Sequence, residues 1–171
     1  VLAWGQGLDR IIMDKYKTTS LKQTQKFAGF LAKEILKARL NKKTALILAL
    51  TGNLGSGKTT FTQGFLRGLG VKRKITSPTF IIMKKYQIPN PKSQINPKIQ
   101  NYKNVYHIDC YRIKKAAELK TLSLKQILNN SENIVLIEWS EKIKKILPKN
   151  TIWIKFEHGE RENIRNIKIY L

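Results

Sequence analysis

A chain of 171 residues and 19.8 kDa fits one domain of ordinary size, and 42% hydrophobic residues suffice for a core. Thirty-three Lys and Arg against 11 Asp and Glu give a formal net charge of +22 and raise a polyanion such as nucleic acid as a partner, although Lys outnumbers Arg 26 to 7 and part of the excess reads as compositional drift toward a solvated basic surface. No apolar run approaches the roughly 20 residues of a membrane span, and the single cysteine, Cys110, excludes an internal disulfide framework and a Cys-based zinc site, which favours a reducing cytoplasm.

Residues 1–12, VLAWGQGLDRII, lack a basic start, a long apolar stretch and a small-residue cleavage site, and Met13 follows them directly. They are expected to be an upstream extension or leader, with the working domain over 13–171. SLKQTQKFAGFLAKEILKARL has Leu21, Phe27, Phe30, Leu31, Ile35 and Leu36 at helical spacing behind a capping candidate at Ser20, which predicts an amphipathic helix. ALILAL (45–50) is too short for a helix and apolar on both faces, as a central strand of a covered sheet is. A glycine-rich turn and a second helix, about Lys58 to Leu69, complete the opening unit of an α/β domain.

Further along, FIIMKKYQI (80–88) and VYHID (105–109) are predicted strands, joined by a proline-containing, acid-free connector that reads as a solvated loop or an extended hairpin tip. SLKQILNN suggests a short helix, and IVLIE (134–138) a buried strand. After Pro148, TIWIKFE and NIRNIKIYL alternate as a closing antiparallel pair around a turn at His158 and Gly159. Because the glycine-rich turn, Gly52 to Thr59, reads G-x-x-x-x-G-K-T between a strand and a helix, the expected architecture is a single α/β domain of the phosphate-loop NTPase type, with a central, mostly parallel sheet flanked by helices and antiparallel C-terminal strands.

Gly52-Asn53-Leu54-Gly55-Ser56-Gly57-Lys58-Thr59 is a complete G-x-x-x-x-G-K-T phosphate loop between a strand and a helix. Glycines let successive backbone N–H groups turn inward, and the helix start adds its positive end, making a cradle for phosphate oxygens. In such a loop Lys58 reaches the β- and γ-phosphates and the Thr59 hydroxyl ligates Mg²⁺. A carboxylate is also needed, and the 74 residues from Ile35 to Ile108 contain none while holding 14 Lys or Arg. Of the acids from residue 109 onward, only Asp109 and Glu138 end apolar strand-like runs, which places both at the carboxyl edge of the sheet beside the loop.

Several neighbours carry two readings each. Thr79, in Ser77-Pro78-Thr79-Phe80, is either a hydroxyl that approaches the γ-phosphate or metal, or the cap of a simple turn. His107 alternates with Asp109 along its strand and is more often structural than catalytic at such a place; Trp139 belongs to the core or walls the site. Asn41-Lys42-Lys43-Thr44 lacks the aspartate of a guanine-reading element and precedes the loop, so ATP is the better nucleotide. Two rivals stand beside an ATPase. One is a small-molecule kinase, weakened by only seven arginines and no arginine-rich lid; the other is a basic nucleic-acid-binding module with a vestigial phosphate loop.

The Gly52–Thr59 loop, Ser77-Pro78-Thr79-Phe80, Tyr106-His107-Ile108-Asp109-Cys110-Tyr111-Arg112 and Glu138-Trp139, in this order, resemble the TsaE family (older name YjeE), from about Thr18 to the C-terminus. That resemblance implies a small bacterial ATPase that works with the TsaB and TsaD proteins in making threonylcarbamoyladenosine next to the anticodon of tRNA, reaching tRNA through that complex. It makes Gly55, Ser56, Gly57, Lys58, Thr59 and Thr60 the phosphate-binding stretch, Thr59 and Glu138 the Mg²⁺ ligands, and Asp109 a candidate to orient or activate the attacking water. It puts the helix entrance near Leu21 and the turn near Glu160 and Arg161 on the adenosine side. The chain departs from the family pattern at Asn53, where an acid is common, at Cys110, where leucine is usual, and in a longer connector between Gln87 and Val105. With no arginine finger evident in cis, slow hydrolysis alone and stimulation by partners are expected.

Overall fold

The computed structural model describes residues 14–38, 43–89 and 102–171. The expected leader, Asn41 and Lys42, and most of the basic connector lie outside the described residues. Ten elements follow in chain order: β1 (Lys15–Thr18), α1 (Leu21–Lys37), β2 (Leu46–Thr51), α2 (Lys58–Gly68), β3 (Met83–Gln87), β4 (Asn104–Asp109), α3 (Leu124–Leu128), β5 (Asn133–Glu138), β6 (Ile152–His158) and β7 (Arg165–Tyr170). Two 3₁₀ segments, Ala116–Leu122 and Ser140–Ile146, flank α3 and β5.

The strands form one sheet in the order β1-β7-β6-β2-β5-β4-β3. Its centre is parallel, with β2 paired to both β5 and β6 and β4 paired to β5; β3, β7 and β1 add antiparallel edges. β2 and β5 read as continuous apolar runs because both of their faces are covered. Leu46, Leu48 and Leu50 of β2 and Ile134 and Leu136 of β5 pack under α1 and α2, while Ile47, Val135 and Ile137 face a second cluster with Ile113, Leu124, Leu128 and Ile143. The period of two then assigns the site. Glu138 shares the face of Ile134 and Leu136, and His107 and Asp109 share that of Val105, so all three carboxyl-edge side chains stand on the side that α2 covers.

α1 begins as its sequence predicts. The Ser20 side chain accepts from the Gln23 N–H at 3.2 Å, and the Gln23 Oε1 reaches back to the Thr19 N–H at 2.7 Å, a reciprocal cap that satisfies two otherwise free donors. Thr24, Ala28, Leu31, Ala32 and Ile35 make its buried stripe. Against α2 the helix approaches backbone to backbone: a Cβ on Gly64 would sit 2.3 Å from the Gln25 carbonyl oxygen.

Two elements differ from the sequence reading. The strand expected from Phe80 starts at Met83, because Ile82 takes a positive φ of 63° at the centre of a three-residue turn closed by the Met83 N–H on the Ile81 carbonyl at 2.7 Å. β1, not anticipated, pairs antiparallel with β7 from Lys15↔Lys168 to Thr18↔Arg165. Among the described residues no helix is long and apolar enough to cross a membrane.

Candidate functional site

β2 delivers the chain into the loop at Thr51, and the loop's shape rests on its glycines. Gly52, at φ 139°, lies so close to β6 that a Cβ would stand 2.4 Å from the Phe156 carbonyl oxygen. Gly57 caps α2 at φ 102°, and no side chain caps that helix start, which leaves its first N–H groups to an anion. Lys58 is buried; its Nζ donates to the carbonyls of Gly52 at 2.6 Å and Asn53 at 2.9 Å and stands 4.0 Å over the Trp139 ring. Burial pushes the Lys58 ammonium below its ordinary value, while the Glu138, Glu141 and Asp109 carboxylates pull it back up.

The carboxylates divide the remaining work. Thr59 Oγ1 donates to Glu138 Oε2 at 2.7 Å, and the other oxygen, Oε1, meets His107 Nε2 at 2.8 Å, with His107 0% and Glu138 2% exposed. A carboxylate oxygen accepts, so His107 Nε2 is the donor that orients Glu138, and its Nδ1 has no partner. Asp109 Oδ2 accepts from Ser77 Oγ at 2.7 Å and Thr79 Oγ1 at 2.5 Å, and Oδ1 accepts the Tyr111 N–H at 2.9 Å. Thr79 therefore fastens the 77–82 turn to Asp109 while facing the site.

Of the residues singled out from the sequence, Leu21, Gly55, Ser56, Gly57, Lys58, Thr59, Thr60, Thr79, Asp109 and Glu138 line one cavity of about 350 Å³, joined by Leu54, Ser77, Tyr111 and Trp139. Glu160 and Arg161 lie in the exposed turn between β6 and β7 and are not among the lining residues. That turn nevertheless borders the loop and the α1 entrance: His158 Nε2 sits 3.3 Å from the Leu54 carbonyl, and Asn163 Nδ2 donates to the Thr19 carbonyl at 2.8 Å. Among the participants that sequence pattern did not mark as site residues, Ser77 and Arg165 make side-chain hydrogen bonds to the site. Ser77 is two residues from Thr79 and shares its carboxylate; Arg165, whose Nη2 donates to the Gly55 carbonyl at 3.0 Å, is a lone basic residue at a strand start with no motif around it.

Among the described residues no three His, Cys, Asp or Glu side chains gather as a metal cage. Thr59 and Glu138 instead offer two hard oxygen donors beside a phosphate cradle, and these two residues would suit a Mg²⁺ ion, which prefers oxygen ligands.

Residues 18–167 match the family model described as threonylcarbamoyl adenosine biosynthesis protein TsaE. A tRNA threonylcarbamoyladenosine biosynthesis protein TsaE from Haemophilus influenzae is 32% identical over 96% of this chain and 89% of its own length, and one from Bacillus subtilis is 36% identical over 68% of this chain and 66% of its own. The crystal structure of Bacillus subtilis YdiB superposes with a TM-score of 0.64 at 28% identity, covering 90% of this chain and 82% of that one. The phosphate loop, the Ser77–Thr79 turn on Asp109 and the Thr59–Glu138 link thus stand on a chain that belongs to the TsaE family.

Proposed function

We propose that the chain binds ATP with Mg²⁺ in this cavity, hydrolyses it, and through that hydrolysis supports the TsaB–TsaD machinery that makes threonylcarbamoyladenosine next to the anticodon of tRNA. The observation that carries the reading is the 2.7 Å link between Thr59, the last residue of the phosphate loop, and Glu138, at the end of a strand 79 residues away, with Lys58 and Asp109 lining the same cavity. Mg²⁺, when bound, offsets negative charge on the β- and γ-phosphate oxygens and fixes their geometry. The loop N–H groups and Lys58 hold the phosphates, His107 keeps Glu138 turned toward Thr59, and Asp109, fastened by Ser77, Thr79 and the Tyr111 N–H, presents a fixed carboxylate to the attacking water.

Lys58 is the only cation among the described residues that line the cavity. With no second positive group inside the cavity to touch the transferring phosphoryl group, the isolated chain is a slow ATPase and a partner supplies the stimulation. Phosphate release is to be measured with and without TsaB and TsaD, on the wild type and on Glu138→Ala. Stimulation of the wild type and a loss of about 10²-fold or more in the variant are expected, since a metal-binding carboxylate contributes several kcal/mol. Full turnover without partners, or unchanged stimulation in the variant, overturns the reading.

A further inference from the structure

Arg165 opens β7 directly behind the phosphate loop, and the residue is 9% exposed. Nη2 donates to the Gly55 carbonyl at 3.0 Å, Nη1 donates to the Ile164 carbonyl at 2.8 Å and to the Glu162 carbonyl, and Nε has no partner. Its stem lies along the α2 cap, where a Cβ added to Gly57 would stand 3.7 Å from Arg165 Cγ and Nε. Among the described residues no carboxylate pairs with it.

Buried charges are normally compensated by an opposite charge, because carbonyl dipoles alone recover only part of the lost hydration. The cavity in front of the loop poses the complementary difficulty. One cation, Lys58, faces two carboxylates, Asp109 and Glu138, so the side-chain charges of the lining repel a polyphosphate, against the pull of the loop N–H groups. An unpaired guanidinium one backbone layer behind the cradle opposes that repulsion. Its fork also sets the Gly55 carbonyl at a residue of positive φ (72°) and ties the loop to the β6–β7 turn.

We propose that Arg165 is a positioning residue of the nucleotide site, holding the phosphate loop through Gly55 and finding the counter-charge for its own buried cation in the phosphates of a bound nucleotide. This rests on the nucleotide reading above and adds a residue to it that lies outside the loop motif.

The test compares the full-length wild type, Arg165→Met and Arg165→Lys in two measurements, thermal unfolding without nucleotide and calorimetric affinity for AMP, ADP and ATP. Gly55 and Glu162 are exposed, so their carbonyls turn to water when the guanidinium is removed, and Met fills the buried volume without an uncompensated charge. The expected Arg165→Met protein therefore unfolds at the wild-type temperature or above, yet loses about tenfold or more in ADP and ATP affinity and much less in AMP affinity. Arg165→Lys, which keeps charge without the fork, falls between them and carries the test if the Met variant does not fold. A purely structural role gives the reverse pattern, a lowered unfolding temperature with unchanged nucleotide affinity, and overturns the proposal. Equal losses for AMP and ADP overturn it too, since they report shape and not charge. A wild type that binds no nucleotide at all sinks the ATPase reading itself.

Discussion

Glu138 shows how one carboxylate is divided between two tasks: Oε2 holds the Thr59 hydroxyl, and Oε1 is pinned by a histidine with no solvent exposure. Glu138 and Asp109 were legible in the sequence because the 74-residue acid-free stretch left few carboxylates, and only these two closed apolar strands. Arg165 was not legible, since its role depends on the β6–β7 turn bringing it to Gly55, 110 positions away in the chain. Cys110 packs as a small apolar residue, its thiol pushed up to about 12 by burial. Lys58 supplies the residue-scale prediction. Burial lowers its affinity for a proton below that of an ordinary lysine, and phosphates placed against it restore that affinity. Between the lowered value of the free protein and the raised value of the complex, ADP binding takes up a proton, so affinity weakens as pH rises through that alkaline interval. Calorimetry in buffers of different ionisation enthalpy is expected to show an uptake that grows as the pH is raised from neutral toward the titration of the free protein's Lys58, and none in Lys58→Arg, which stays charged throughout. Proton release in the wild type contradicts this account of the site.

At the scale of elements, the long periodic segments were readable: α1 with its Ser20 cap, the apolar β2 and β5, and the alternating β6 and β7 all lie where their patterns put them. The exceptions have physical causes. β1 is four residues on a sheet edge with one partner strand, too short for its alternation to register. The missing start of β3 is a matter of tertiary demand, because the residues that look like strand from Phe80 instead turn so that Thr79 reaches Asp109, and Ile82 takes a conformation that β-branched residues rarely adopt. The α1–α2 contact yields a prediction in which two effects of opposite sign compete. Gly64→Ala improves helix propensity by up to about 1 kcal/mol, but the new Cβ falls 2.3 Å from the Gln25 carbonyl oxygen, a clash with backbone that no rotamer change relieves. Overpacking of about 1–3 kcal/mol wins, and because α2 begins at Lys58 the displaced helix also moves the phosphate loop. Thermal unfolding is expected to fall by several degrees with weakened nucleotide binding; a raised midpoint shows that the helices are not in contact at this place.

For the whole molecule, the order of the parallel strands is what makes the motif a site: β5 and β4 lie to one side of β2, so their carboxyl ends bring Glu138 and then Asp109 up to the loop that β2 feeds. The net charge of +22 sits on that frame without being needed by it. Arg73, Lys74, Lys84 and Lys85 line a cleft of about 400 Å³ at the β3 edge, and among the described residues none of them pairs with a carboxylate. Such a surface attracts RNA by releasing counterions, a term that carries no sequence information and decays with salt. If tRNA reaches the protein through its partners, the isolated chain holds tRNA only at low ionic strength and indifferently to which tRNA is offered. With about four or five phosphates neutralised, association should weaken roughly 10²–10³-fold between 50 and 200 mM salt. Fluorescence anisotropy with the wild type and Lys58→Ala separates the possibilities. Equal, salt-sensitive and sequence-indifferent binding by both proteins, together with loss of ATP hydrolysis in the variant alone, assigns the charge to the surface and the function to the loop. Tight binding that persists at 200 mM salt in both proteins, with no hydrolysis in either, makes the chain a nucleic-acid-binding module whose phosphate loop is a remnant.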